Sequence, residues 1–139
     1  MNVCDGRYSY FHYPEVCAAE HLFEYTLMPT RMTTRFSISE LLDATLHPSF
    51  SFTKGVPVLR LPPKTDEDGV PVEVQGMSFA DQQSQLFDLQ NDPGQKTPIE
   101  NPEKIVQMRK LIVDNMVRLD APAEAFVRFG FEVPKAIST

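Results

Sequence analysis

Three cationic side chains are the residues of this sequence best suited to chemistry. Lys54 stands beside Gly55, and Arg31 and Arg35 stand four residues apart. An ammonium group can bind an anionic oxygen, and the planar guanidinium of arginine can donate two parallel hydrogen bonds to one anionic group. The alternative is that all three are solvated surface side chains. The sequence therefore indicates either an anion-binding site that uses these cations or an ordinary charged surface.

Metal binding and nucleophilic catalysis have less support in the sequence. His12, His21 and His47 are scattered without the spacing of metal ligands, and His12 stands among aromatic residues, where a histidine usually has a structural role. Neither Cys4 nor Cys17 lies in a helix-start motif that would activate its thiol. We expect two free thiols, no metal site and no catalytic residue in this chain.

The clearest structural signal of the sequence is the segment 86–119, which predicts a strand, a turn and a long helix. Residues 87–90 alternate apolar and polar side chains, the pattern of a strand with one covered face. Residues 91–94 are turn formers, with a glycine free to take positive φ. Asn101 followed by Pro102 predicts a helix over about 102–119. The apolar stripe of that helix consists of Ile105, Met108, Ile112, Met116 and Leu119.

The same segment, LFDLQNDPGQ followed by PEK and the helix, resembles the close of a sulfatase of the alkaline-phosphatase-like superfamily. In that family a strand, an Asp-Pro turn and a long terminal helix finish the smaller C-terminal subdomain. The stretches DGRY at 5–8 and FTKG at 52–55 are similar to the same region. The chain departs from the family after the turn, where many relatives have an acidic residue and then Asn-Leu but this sequence has Gln95 and then TPI at 97–99.

The resemblance implies a C-terminal portion that lacks the catalytic N-terminal domain. Sulfatases hydrolyse sulfate esters with a formylglycine made from Cys or Ser in a Cys/Ser-x-Pro-x-Arg motif, beside a divalent cation, usually calcium. No proline of this sequence has Cys or Ser two positions before it. We therefore expect no cofactor in this chain and no catalysis by it alone. Lys54, Arg31 and Arg35 would then border the sulfate-binding pocket of the intact protein.

Composition restricts the class of protein further. The 139 residues fit one domain over 1–139, and the net charge of −6 comes with no basic run that could follow a nucleic-acid backbone. No stretch approaches the roughly 20 apolar residues of a membrane helix, and the N-terminus lacks a secretory signal pattern. We expect a cytoplasmic protein as the sequence is written. A signal on a longer parent protein would have been lost with the missing part.

The remaining patterns predict an α+β fold. Residues 6–13 and 23–27 read as strands that pair antiparallel, and Ser37 with Glu40 forms a capping box before a helix over about 38–46. Prolines confine 56–61 to an edge strand or connector, and the polar loop at about 64–81 is expected to be mobile. A short helix over 123–129 ends at Gly130. Together these elements predict a small antiparallel sheet of about three to four strands packed against the long C-terminal helix and shorter helices.

Two kinds of partner remain open. The chain either covers the missing sulfatase catalytic domain or is a freestanding dimeric module derived from a sulfatase that self-associates through an exposed apolar face. Phe50 and Phe52 have no obvious local partner and are expected to pack against the missing domain. A third and weaker hypothesis, an independent enzyme, lacks a clustered acid, base and nucleophile.

Overall fold

The computed structural model describes residues 1–14, 23–30, 34–63, 83–135 and 137. These residues form six strands and three helices in an α+β arrangement, with three strands on either side of the first helix and the other two helices at the C-terminal end. The strands are β1 Asn2–Cys4, β2 Tyr8–Phe11, β3 Glu24–Thr26, β4 Thr45–His47, β5 Val58–Leu61 and β6 Gln85–Asp88. The helices are α1 Ile38–Leu42, α2 Pro102–Arg118 and α3 Ala123–Arg128. The predicted mobile loop at 64–81 lies outside the described residues, as do Arg31, Cys17 and His21.

The first sheet has the antiparallel order β1-β2-β6, and α2 packs on it. Its core combines two strand residues with side chains of α2 and α3, which are Tyr10, Leu86, Met108, Ile112, Met116 and Phe126. The predicted pairing of 6–13 with 23–27 is wrong, because β2 pairs with β1 on one edge and with β6 on the other. β1 has three residues, too few to show a periodic pattern, so the sequence did not predict that β1 would be a pairing partner of β2.

The second sheet has the antiparallel order β3-β5-β4. The described residues therefore form two small sheets of three strands rather than the single sheet that the sequence predicted. β5 is the central strand of the second sheet, which corrects the prediction of an edge strand or connector. Pro57 and Pro62 flank Val58–Leu61 without entering it, so every residue of the strand keeps its backbone N–H for pairing.

The first helix, α1, begins as predicted and ends early. The Ser37 side chain accepts from the Glu40 N–H and the Glu40 carboxylate accepts from the Ser37 N–H, which confirms the capping box. The helix ends at Leu42, so its predicted extension to residue 46 is wrong. Residues 45–47 instead form β4, whose Thr45 pairs with Arg60 of β5. Pairing with a neighbouring strand has replaced the last helical turn.

The C-terminal helices confirm the predictions most closely. The Asn101 side chain accepts from the Lys104 N–H at 3.0 Å and caps α2, whose Met108, Ile112 and Met116 are buried. α3 ends in a left-handed Gly130, which lets the Gly130 and Phe131 N–H groups donate to carbonyls of the last turn. Leu119 lies beyond α2 and is exposed, so the helix ends one residue earlier than predicted and its buried stripe ends at Met116.

The turn after β6 uses different residues from those predicted. Gln95, with φ +50°, takes the left-handed conformation that Gly94 was expected to take. The Asp92 carboxylate accepts from the N–H groups of Lys96 and Thr97 at 2.7 and 2.8 Å. These two bonds hold the chain after the turn in place and compensate for the strain at Gln95.

Within the part of the chain that the structure describes, no helix is both long and apolar enough to cross a membrane.

Candidate functional site

Lys54 lies at the end of a short 3-10 turn, Ser51–Thr53, that joins β4 to β5. Its backbone is left-handed, with φ +53°, and Gly55 follows with φ +83°. The side chain is exposed and pairs with no carboxylate of a described residue. An exposed ammonium without an ion-pair partner can accept an anion, so the predicted role of Lys54 stays a prediction.

The turn that carries Lys54 is held by its own buried residues. The Thr53 hydroxyl lies 2.9 Å from the carbonyl oxygens of both Phe50 and Val56 and donates to them. Phe50 is buried and stacks on the His47 ring at a centroid distance of 5.0 Å. Lys54 therefore extends from a fixed turn rather than from a loose loop. Phe50 has local partners, which corrects the expectation that it packs against another domain.

The predicted arginine pair is only partly described. Arg35 is exposed, forms an isolated antiparallel bridge with Thr30, and makes no ion pair with a described residue. Arg31 lies outside the described residues. Arg35 lies in the bridge with Thr30 and Lys54 lies at the end of the turn after β4, so the two cations remain separate candidates for anion binding.

A cleft of about 630 Å³ lies between the second sheet and the corner where α2 meets α3. Strand register explains the sheet side of this cleft. Tyr25, Arg60 and Thr45 are paired across β3, β5 and β4, so their side chains point to one face of the sheet. His47, two residues after Thr45, points to the same face. The opposite wall is formed by Asp120 and residues 121–124.

Three polar groups meet inside the cleft. The Tyr25 hydroxyl donates to the Glu124 carboxylate, and Arg60 Nε lies 3.8 Å from the same carboxylate oxygen. The Arg60 guanidinium also lies over the Phe23 ring at 3.5 Å, a cation–π contact. Glu124 is in the first turn of α3, where the helix dipole favours a negative charge. This cluster attaches α3 to the second sheet.

The cluster makes Tyr25 a poor acid. Burial raises the pKa of the Tyr25 hydroxyl far above its ordinary value, and the hydrogen bond and charge of Glu124 raise it further. The hydroxyl therefore keeps its proton at neutral pH and serves as a hydrogen-bond donor. Glu124 is occupied by Tyr25 and Arg60 and is not a free general base.

His12 and Cys4, the other residues considered from the sequence, are explained by their contacts within the fold. His12 is buried, its Nε2 lies 2.7 Å from the Phe129 carbonyl oxygen, and its ring stacks on Phe131. It therefore connects the first sheet to the end of α3. Cys4 is an exposed free thiol whose Sγ accepts from the Gly6 N–H at 3.4 Å. Among the described residues, no group of three His, Cys, Asp or Glu side chains is arranged to hold a metal ion.

Sequence reasoning did not find the cleft. Tyr25 and Glu124 are 99 residues apart in the sequence. Arg60 stands in the segment 56–61, whose prolines predicted an edge strand or connector and gave no reason to single out Arg60. The pairing register of β3 with β5 brings Tyr25 and Arg60 together, and nothing local in the sequence specifies that register. The one local signal was Glu124 directly after Ala121-Pro122-Ala123, which is typical of a helix start.

Comparison with known proteins adds no relative. No protein-family model, no curated protein and no solved structure matches this chain.

Proposed function

We propose that this chain is the C-terminal portion of a sulfatase-type sulfuric ester hydrolase. In this role it covers the catalytic domain and borders the substrate pocket, and it does not catalyse alone. The support from sequence is the LFDLQNDPGQ segment and its helix. The support from structure is that this segment forms the strand, turn and long helix that the resemblance implies, as β6, residues 91–95 and α2.

The observation that carries the covering role is a set of exposed aliphatic side chains on α1 and β4. Ile38 is 80% exposed, Leu42 is 79% exposed and Leu46 is 75% exposed. α1 buries none of its five residues, and a helix of that length has little stability without tertiary contacts. Burying a large aliphatic side chain stabilises by about 1.5–3 kcal/mol. Cover by a second domain would therefore stabilise both α1 and the edge strand β4.

The proposed substrate contact is Lys54, with Arg35 and Arg31 as the other cations. The Lys54 ammonium is exposed, and no carboxylate of a described residue neutralises its charge, so it can bind a sulfate oxygen. The divalent cation and the formylglycine would belong to the catalytic domain. The residues of this chain would therefore bind the sulfate group and would not cleave the ester bond.

The test is hydrolysis of 4-nitrophenyl sulfate. The chain alone should release no more 4-nitrophenol than buffer does. The gene product that contains both this chain and a catalytic domain, produced in cells that make formylglycine, should release it catalytically, and Lys54→Met should raise KM more than it lowers kcat. Hydrolysis by the chain alone, or an inactive gene product that carries formylglycine, would contradict the proposal.

A second candidate uses the same exposed side chains for self-association, as a dimeric interaction module. The observation that favours it is again the exposure of Ile38, Leu42 and Leu46. Sedimentation equilibrium of the chain separates the two candidates. A concentration-independent mass of 15.8 kDa favours the covering role, and a mass of twice that value favours the dimer.

A further inference from the structure

Asp120, at the corner between α2 and α3, has a backbone conformation that favours glycine. Its φ is +54°, and the N–H groups of Asp120 and Ala121 donate to the carbonyls of Val117 and Met116 at 3.2 and 2.9 Å. This is the usual hydrogen-bonded end of a helix, in which a left-handed glycine is the common residue. A residue other than glycine is strained in this conformation, aspartate and asparagine less than most. The helix end by itself therefore gives no reason for an aspartate.

The Asp120 side chain supplies the reason. Its Oδ2 accepts the N–H of Ser51 at 2.7 Å, across 69 residues of sequence. Ser51 is the first residue of the turn Ser51–Thr53, so its N–H has no acceptor inside that turn. Hydrogen bonds from the Ser51 side chain and backbone also hold the pKa of Asp120 below its ordinary value.

The turn that Asp120 holds leads directly to Lys54. Its internal bonds run from Thr53 N–H to the Phe50 carbonyl and from Val56 N–H to the Thr53 carbonyl, both at 3.0 Å. Lys54 lies between these two bonds in the left-handed conformation. The buried Phe50 fixes the turn from the side of the second sheet. Asp120 fixes it from the side of the helices.

We propose that Asp120 is a positioning residue for Lys54. By holding the Ser51 N–H, the carboxylate fixes the turn against the corner of α2 and α3, and with it the backbone from which the Lys54 side chain extends toward an anion. The strain of a left-handed aspartate is offset by this hydrogen bond. That the anion is a sulfate ester rests on the proposed function, whereas the positioning of the turn does not.

Three substitutions at position 120 separate positioning from helix capping. Asp120→Asn keeps an oxygen acceptor and tolerates the left-handed backbone. Asp120→Gly suits the helix end but loses the acceptor, and Asp120→Ala loses both. The measurement is amide hydrogen exchange of Thr53 and Val56 by NMR, with the free energy of unfolding from urea as a second readout.

We expect exchange at Thr53 and Val56 to rise roughly tenfold in Asp120→Gly and Asp120→Ala, because the turn loses the acceptor of its Ser51 N–H. Asp120→Asn should restore most of the protection. Overall stability of Asp120→Gly should be close to that of the native chain, because glycine relieves the backbone strain. Unchanged exchange in Asp120→Gly would overturn the proposal, since it would leave helix capping as the whole role of residue 120.

A titration with inorganic sulfate tests the lysine separately. Sulfate should shift the Lys54 side-chain resonances of the native chain, and Asp120→Gly should weaken this binding severalfold. Lys54→Met should abolish it, while Lys96→Met, which removes another exposed lysine, should not. If the exchange results hold and sulfate shifts no Lys54 resonance, the positioning of the turn is supported and the sulfatase proposal fails at this residue.

Discussion

The two aspartates of the LFDLQNDPGQ segment stabilise the fold at well-defined positions. Asp88, buried in the first sheet, accepts from Arg7 Nε at 3.2 Å and from the Arg7 terminal nitrogen at 2.7 Å. It also accepts from Gln90 N–H and the Asn91 side chain, at the start of the turn. Asp92 then accepts from the backbone after the turn. The residues that carry the sulfatase resemblance therefore hold the strand and the turn together.

Replacing Asp88 by asparagine should remove one acid-dependent contribution to stability. Arg7 holds the pKa of Asp88 below its ordinary value, so the folded-state pKa lies below the unfolded-state value of about 3.9. The contribution is fully present above the unfolded pKa and is lost as pH falls through the folded pKa. We expect the urea midpoint of the native chain to fall more steeply below about pH 4 than that of Asp88→Asn.

Asp114→Asn is the matched control for this experiment, because Asp114 pairs with Lys110 on an exposed face of α2. It should leave the steep acid limb unchanged. Acid limbs of equal slope in the native chain and Asp88→Asn would show that the Arg7–Asp88 pair contributes nothing that depends on pH.

The pKa of the Tyr25 hydroxyl should lie well above the ordinary value of tyrosine. Burial is the largest cause of this raised pKa, and the hydrogen bond and negative charge of Glu124 raise it further. Glu124→Gln should therefore lower the pKa of Tyr25 without returning it to the ordinary tyrosine range. Absorbance at alkaline pH measures this, and Tyr25→Phe identifies which of the four tyrosines is affected. No change in Glu124→Gln would mean that burial alone determines the shift.

Among the secondary-structure elements, α2 has the clearest sequence signal, and its cap can be tested. Asn101→Ala removes the acceptor for the Lys104 N–H and should cost about 1 kcal/mol of stability. Gln107→Ala, at an exposed position of the same helix, is the control and should be close to neutral. Urea unfolding measures both, and equal midpoints for the two variants would argue against capping by Asn101.

Elements that depend on local sequence were predicted well, and elements that depend on distant pairing were not. The caps at Ser37 and Asn101 lie within three residues of the groups they bind, so the sequence contained the whole interaction. The central position of β5 and the strand identity of 45–47 depend on partners elsewhere in the chain. The cleft depends on that pairing as well, because Tyr25 and Arg60 meet through the register of β3 with β5.

For the whole molecule, the two sheets differ in how well they are covered. The first sheet packs on α2 and α3 around Phe126, which has no exposed surface. The second sheet faces α3 across the cleft. Leu46 on its edge strand β4 is exposed to solvent, as are Ile38 and Leu42 of α1. The exposed apolar side chains are therefore concentrated on the second sheet and α1, where the proposed catalytic domain would pack.

Leu46→Lys should distinguish a solvent surface from a covered one. In this chain alone the change should alter the free energy of unfolding by less than about 0.5 kcal/mol, because lysine is tolerated on an exposed edge strand. In the gene product with the catalytic domain it should lower stability by about 1–3 kcal/mol, because it would bury an unpaired polar group. Val106→Lys is the control, since Val106 is comparably exposed on α2. Equal, small effects of both variants in the gene product would exclude β4 from the interface.

The coding sequence upstream of Met1 tests the proposal that this chain belongs to a polypeptide with a sulfatase catalytic domain. We expect an open reading frame in phase with Met1 that encodes a Cys/Ser-x-Pro-x-Arg motif. A stop codon in phase, directly preceded by a promoter and with no such motif, would contradict it.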